Sequence, residues 1–228
     1  MSISEHQHQH QHQHRTEDVD ADVDVAEYWE RRYQERERVW SGRANPVLVD
    51  VVEPLPAGTA LDLGCGEGAD AVWLARRGWR VTAADVSATA LDRALGHAAD
   101  AGVADRIDFQ RHDLARTLPD GSFDLVSAQF FQSNVELPRE RILRAVAEKV
   151  APGGLLLVVT HATVPPWSWH PHEDAAVPTP EEELAALGLA PDGWHPERLD
   201  TPARHVTGPE GRTATVTDNV IALRRAAR

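Results

Sequence analysis

The chain has 228 residues, 42% of them hydrophobic, and a formal net charge of −13, which suits one α/β domain with a sizeable core and is short for two. The acidic balance and the lack of any Lys/Arg-rich run argue against nucleic acid as a partner, because phosphate binding needs a clustered basic face. The single cysteine, Cys65, excludes an intramolecular disulfide and a multi-cysteine metal site, and with neither an apolar run approaching roughly 18 residues nor a leader-like h-region the sequence reads as a soluble, cytoplasmic, non-membrane protein.

Residues 1 to about 24 join a His/Gln alternation, His6 to His14, to an acidic run, Glu17 to Asp24. Neither has an apolar face, so disorder is expected there. Neutral imidazoles on such a tail chelate Zn²⁺, Ni²⁺ or Cu²⁺ without a fold, leaving a purification tag, a repeat expansion or a metal sponge as readings, all non-catalytic. A single domain is expected over 25–228, opening with a helical cap over 25–55. Trp29, Tyr33, Arg36 and Trp40 recur at i, i+4, i+7 and i+11, which predicts a helix with an aromatic stripe that ends near Ser41-Gly42. A second short helix through Leu48, Val51 and Val52 leads to Pro54-Leu55-Pro56.

A strand-helix alternation follows, the pattern of a parallel sheet covered on both faces. Strands are predicted at Thr59 to Gly64, Trp79 to Asp85, Ile107 to Gln110, Phe123 to Gln129 and Leu155 to Thr160. The intervening helices are Ala69 to Arg77, closed by Gly78, and one N-capped by Ser87 and closed by Gly102. A third has Pro138 in its first turn and Ile142, Val146 and Val150 on its apolar face. Beyond 161 the rhythm changes to a Trp/His/Pro-rich loop, a short helix around Glu181 to Leu187, and two antiparallel strands near 195–206 and 214–224. The fold class is therefore Rossmann-like and doubly wound, with a seven-stranded, mostly parallel sheet ending in an antiparallel pair.

The chemistry concentrates at Asp62-Leu63-Gly64-Cys65-Gly66-Glu67-Gly68. Glycines in such a turn reach positive φ and let a ligand approach the backbone, while the helix start behind them offers unpaired N–H groups. The G-x-G-x-G spacing differs from the G-x-G-x-x-G of dinucleotide sites. Asp85, 21 residues after Gly64, ends the second strand where an acid accepts hydrogen bonds from ribose hydroxyls. Asp113-Leu114 follows the third strand, Phe123-Asp124-Leu125-Val126 forms the fourth, and Pro152-Gly153-Gly154-Leu155 precedes the fifth.

These five motifs in order resemble class I S-adenosylmethionine (SAM) dependent methyltransferases. The resemblance implies that Asp62, Gly64, Gly66, Asp85, Asp113 and Leu114 bind SAM and its product S-adenosylhomocysteine. It places Asp62 near the methionine amine and Asp113 with Leu114 at the adenine, although Asp62 and Asp113 also read as caps of their own turns. Tyr28 to Tyr33 with Trp40, the run Gly64 to Leu74 and the stretch Trp194 to Arg225 look like the tellurite-resistance and thiopurine methyltransferase group. There the N-terminal helix folds over the cofactor, which implies Tyr33 and Trp40 as walls of the donor pocket. The partner implied is a small-molecule acceptor, a thiol or chalcogen species among the candidates, handled by a monomer or homodimer.

A soft nucleophile needs little base assistance, whereas a hydroxyl or protonated amine needs one. His161, at the carboxyl end of the fifth strand, is the candidate base, with Gln129 and Gln132 at the same edge. Trp167, Trp169, His170 and His172 suggest a lid with aromatic walls or a loop without a site; no metal site is assigned to them. Arg43 reads either as solvated or as a partner for an oxyanion. The alternative to an enzyme is a metal-handling or SAM-sensing protein on the same fold.

Overall fold

Strand β1 (Thr59–Leu63) is buried from its second residue onward. Its run of apolar side chains broken by one acid is what a strand enclosed on both faces requires. In the computed structural model, which describes residues 24–168 and 177–227, β1 pairs in parallel with β2 (Arg80–Asp85) on one side and β4 (Phe123–Gln129) on the other. Outside β2 lies β3 (Ile107–Arg111), and outside β4 lies β5 (Val150–His161), both again parallel.

The sheet then reverses. β8 (Thr213–Arg225) runs antiparallel to β5, and β6 (Trp194–Asp200) and β7 (Ala203–Thr207) both pair with it. The order is β3-β2-β1-β4-β5-β8-β6, with β7 beside β8, so the sheet has eight strands. The seven-stranded expectation fails at one point: the single strand read near 195–206 is two. Thr201-Pro202 separates them, because proline has no N–H for a ladder bond.

Side chains alternate between two apolar layers. Ala60, Val81, Ala83, Leu125 and Leu155 face α2 (Pro46–Val52), α3 (Ala69–Arg76) and α4 (Ala88–Asp100). Leu61, Leu63, Ala84, Val126 and Leu156 face α5 (Arg139–Ala147) and α6 (Pro180–Leu187). Each fully buried leucine contributes roughly 1.5–3 kcal/mol. That outweighs exposed ion pairs such as Arg77–Glu53, which are worth about 0–1 kcal/mol each.

Three boundaries depart from the sequence reading for local reasons. α1 (Val25–Gln34) stops six residues short of Trp40. Glu35, Arg36, Glu37 and Arg38 offer no apolar face, and the backbone N–H groups of Val39 and Trp40 bond to a side chain elsewhere. β5 begins at Val150, with Pro152-Gly153-Gly154 bulging out of the ladder between the pairs Phe123–Val150 and Leu125–Leu155. Pro138 is the N-cap of α5, one position before the helix. The His/Gln and acidic segment up to residue 23, with Trp169, His170 and His172, lies outside the described residues. Among the described residues no helix is long and apolar enough to cross a membrane.

Candidate active site at the carboxyl edge of the sheet

Chain direction across the sheet changes at β1 and β4, and in open α/β sheets ligands gather at the carboxyl ends beside such a switch point. The turn after β1 lies there. Gly64, Gly66 and Gly68 have φ of 65°, 53° and 80°, a region open to glycine with little strain. The third residue caps α3 in the left-handed conformation.

Asp85, at the end of β2, ties two loops together: its carboxylate accepts the Gly66 N–H at 2.8 Å and the Ser87 N–H at 2.9 Å. Both bonds are buried; burial pushes the carboxyl above its usual range and these N–H groups pull it back, so Asp85 and the glycine turn hold each other in shape. Asp62, 2% exposed, has an Oδ2 atom with no hydrogen-bond partner among the described residues. Burial, with the charges of Asp70 and Asp85, pushes its carboxyl well above the usual range. Burial likewise raises Asp70, on the first turn of α3, to about 6, partly offset by the Asn45 N–H that it accepts at 2.7 Å. Three acids thus crowd beneath one loop and leave it short of positive charge. Burial also pushes the Cys65 thiol up, which keeps it a neutral packing residue.

Tyr33 and Trp40 stand directly over the turn. The Trp40 indole donates to the Tyr33 hydroxyl at 2.8 Å, and a Cβ built on Gly66 would lie 2.8 Å from Tyr33 Oη and 3.1 Å from Trp40 Nε1. Trp29 and Tyr28 extend this aromatic group, Trp29 donating to Ser133 and Asn134 donating to Tyr28. The cap therefore reaches the loops after β1 and β4 alike. Gly64 is faced by the Phe131 ring, 2.8 Å from a built Cβ.

His161 closes β5. The register of β5 on β8 sets it opposite Asp218, and its Nδ1 lies 3.3 Å from Asp218 Oδ1. Asp218 is 1% exposed, and burial raises its carboxyl less than the bonds from His161 and Arg204 lower it, so it stays ionised. The Phe130 ring stacks on the imidazole at 4.0 Å, from a backbone with φ 53°, a strained value outside glycine. Gln132 accepts the His161 N–H at 2.9 Å. Gln129 donates to Ser127 and keeps a buried Oε1 without a partner among the described residues. Among the described residues no hydrogen bond engages His161 Nε2.

Two of the sequence candidates sit differently. Asp113 is engaged in its own turn, accepting the Ala115 N–H and pairing with Arg116 at 2.9 Å. Leu114 is buried in the second apolar layer. Trp167 packs against Gly208 with Arg212 over its ring, which makes it an anchor for the β7–β8 hairpin. Arg43 is exposed. Sequence reasoning missed Glu30, Glu67, Asp70, Arg93, Arg204 and Asp218. Glu67 stood in plain view as a spacer between glycines, while Asp218 becomes visible only through strand register. Among the described residues no group of three His, Cys, Asp or Glu side chains is placed to hold a metal ion.

The chain is similar to known proteins in sequence and in fold. A family profile described as a methyltransferase domain fits residues 60–154, from β1 to the bulge in β5. The chain is 35% identical over 155 residues to 2-heptyl-1-hydroxyquinolin-4(1H)-one methyltransferase of Mycobacteroides abscessus, covering 65% of each chain and so just under two thirds of that relative. It is 30% identical over 170 residues to thiocyanate methyltransferase 1 of Arabidopsis thaliana, covering 71% of this chain and 72% of that one. A solved structure concerned with conversion of a disulfide bond into a thioacetal group during echinomycin biosynthesis superposes with a TM-score of 0.70 at 21% identity, over 90% of this chain and 93% of the other. The chain belongs to the class I SAM-dependent methyltransferases.

Proposed function

We propose that the protein moves the methyl group of SAM to a small-molecule acceptor bearing an acidic X–H group, a thiol or a hydroxyl of comparable acidity. The observation that carries this reading is the His161–Asp218 pair on the same sheet edge as the glycine turn. Asp218 fixes the ring through Nδ1 and leaves Nε2 to take a proton from the acceptor as the methyl group arrives. Imidazole suits a thiol, with a pKa of about 8.5, far better than an unactivated alcohol.

The donor, when bound, supplies a sulfonium methyl whose positive charge disappears on transfer, so orientation and exclusion of water account for most of the rate. The residues present fit such a cation. The unpartnered Asp62 Oδ2 and the crowding of Asp62, Asp70 and Asp85 call for positive charge. In this reading Asp62 meets the amine, Asp85 the ribose, Gly64 and Gly66 the backbone-facing side, and Tyr33 with Trp40 exclude water. Asp113 and Leu114 border the adenine end, with Asp113 acting through the turn that it caps.

One relative's name carries a hydroxyl-bearing acceptor, which supports the X–H class, and another's carries a sulfur anion, which supports a soft nucleophile but needs no base. A chalcogen oxyanion is supported less well, because Arg204, the cation beside His161, is already paired with Asp218. Calorimetric titration with S-adenosylhomocysteine tests the donor half, and binding in the micromolar range is expected; absence of heat and of any shift in unfolding temperature would sink it. A panel of thiols, N-hydroxyls, phenols and chalcogen oxyanions with labelled SAM tests the acceptor half. Turnover should survive deletion of residues 1–15.

A further inference from the structure

The cap is fastened to the sheet edge by carboxylates. Glu67, between the second and third glycines, is 4% exposed. Its two oxygens accept the Val39 N–H at 3.3 and 3.4 Å, the Trp40 N–H at 3.1 Å and Arg93 Nη1 at 3.0 Å. Arg93, on α4, donates its other terminal nitrogen to the Tyr33 carbonyl at 2.7 Å. Glu30, on α1, accepts Ser87 Oγ at 2.7 Å, Thr89 Oγ1 at 2.6 Å and the Thr89 N–H at 3.3 Å, all at the start of α4. These hydrogen bonds hold its carboxyl down at about 2 against the opposing effect of burial, so it is ionised across the physiological range.

The two fastenings flank the part of the loop that matters. Between them the Tyr33–Trp40 pair covers Gly66, and the Gly66 N–H is the one that Asp85 holds. Segment 33–40 cannot lift from the glycine turn without releasing the Val39 and Trp40 N–H groups from the shielded Glu67 carboxylate and the Tyr33 carbonyl from Arg93. Nor can the turn change shape without moving Glu67, since its own carbonyl contacts His97 Nδ1 at 2.9 Å.

We propose that Glu67 and Glu30 are positioning residues that set how long the cofactor stays bound, Glu67 by linking closure of segment 33–40 to the shape of the donor loop. The inference rests on the reading that this loop holds SAM. Product leaves only after the Glu67–Trp40 and Glu30–Thr89 bonds open, so exchange of S-adenosylhomocysteine for SAM follows the opening of the cap.

The test is stopped-flow fluorescence of S-adenosylhomocysteine release into excess SAM, with Trp29 and Trp40 as reporters, in Glu67→Gln, Glu30→Gln and Arg93→Met. Arg77→Met serves as control, since it breaks the exposed pair with Glu53. Release should quicken about tenfold in Glu67→Gln and about threefold in the other two, with association little altered, since loss of a closing contact is read mainly in the off-rate. Amide exchange should speed up over 28–43 and stay slow in β4 and β5, and the unfolding temperature should match the control. Release unchanged in Glu67→Gln and Glu30→Gln would overturn the proposal, as would faster release accompanied by loss of protection throughout the sheet. Failure of the wild type to bind S-adenosylhomocysteine would overturn the donor reading and this inference together, whereas unchanged release from a protein that binds it overturns the latch alone.

Discussion

The proposed donor side and the proposed acceptor side of the sheet edge are assembled over different lengths of chain. Asp85 reaches Gly66 across 19 residues and Glu67 reaches Trp40 across 27, all within one β-α-β passage and its cap. His161 meets Asp218 across 57 residues, and only because an antiparallel strand returns beside β5 in one particular register. A register slip of one residue would turn Asp218 to the opposite face and abolish the pair. The donor loop is thus fixed by local turn chemistry, whereas the acceptor side depends on how a hairpin is laid down.

The largest expected effect separates the two sides. His161→Ala should lower turnover about 100- to 10,000-fold near neutral pH, the range lost with a general base. S-adenosylhomocysteine affinity should stay within about twofold. Steady-state kinetics beside calorimetry reads both, and a parallel fall in affinity would break the division. Asp85→Ala acts from the other side. It frees two buried N–H groups and should weaken S-adenosylhomocysteine binding on the order of 100-fold, near 2.7 kcal/mol; undiminished heat in the titration would contradict its place in the site.

Asp218→Asn keeps the shape of the acceptor side but removes its charge. Turnover should drop on the order of tenfold, with donor affinity untouched. Smallest is a stability effect beneath the donor loop. Burial raises Asp70 from 3.8 to about 6, so the native state binds the extra proton between those values. Stability from this group is complete below about pH 4 and is lost as pH climbs through about 6. Asp70→Asn should therefore stabilise the protein at pH 8, on the order of 1–3 kcal/mol, and leave it unchanged at pH 4. Denaturant melts at the two pH values decide it.

Much of the donor half could be read in advance because turns and periodicities are local. Phe123–Gln129 was legible as a buried strand from its continuous apolar run, and Ser87 as an N-cap from its position before an apolar face. Trp40 was misassigned to a helix because spacing alone cannot reveal that Glu67 would capture its N–H. The split at Thr201-Pro202 was missed although proline announces it, since both flanking stretches favour extended structure. Asp218 was out of reach because no local pattern encodes which residue of β8 faces His161. Asp113 shows the reverse: its motif position was legible, and the structure adds the turn and the Arg116 pair that occupy its carboxylate.

Phe130 marks a place where backbone relaxation and side-chain packing pull in opposite directions. Its left-handed backbone would relax with glycine, a substitution of the kind that stability design seeks at such positions. Replacing it would remove the ring that stacks on His161 and leave the imidazole free to swing about its bond to Asp218. The exchange would also cost the packing of that ring against the first apolar layer and under Arg204, a loss larger than the backbone strain relieved.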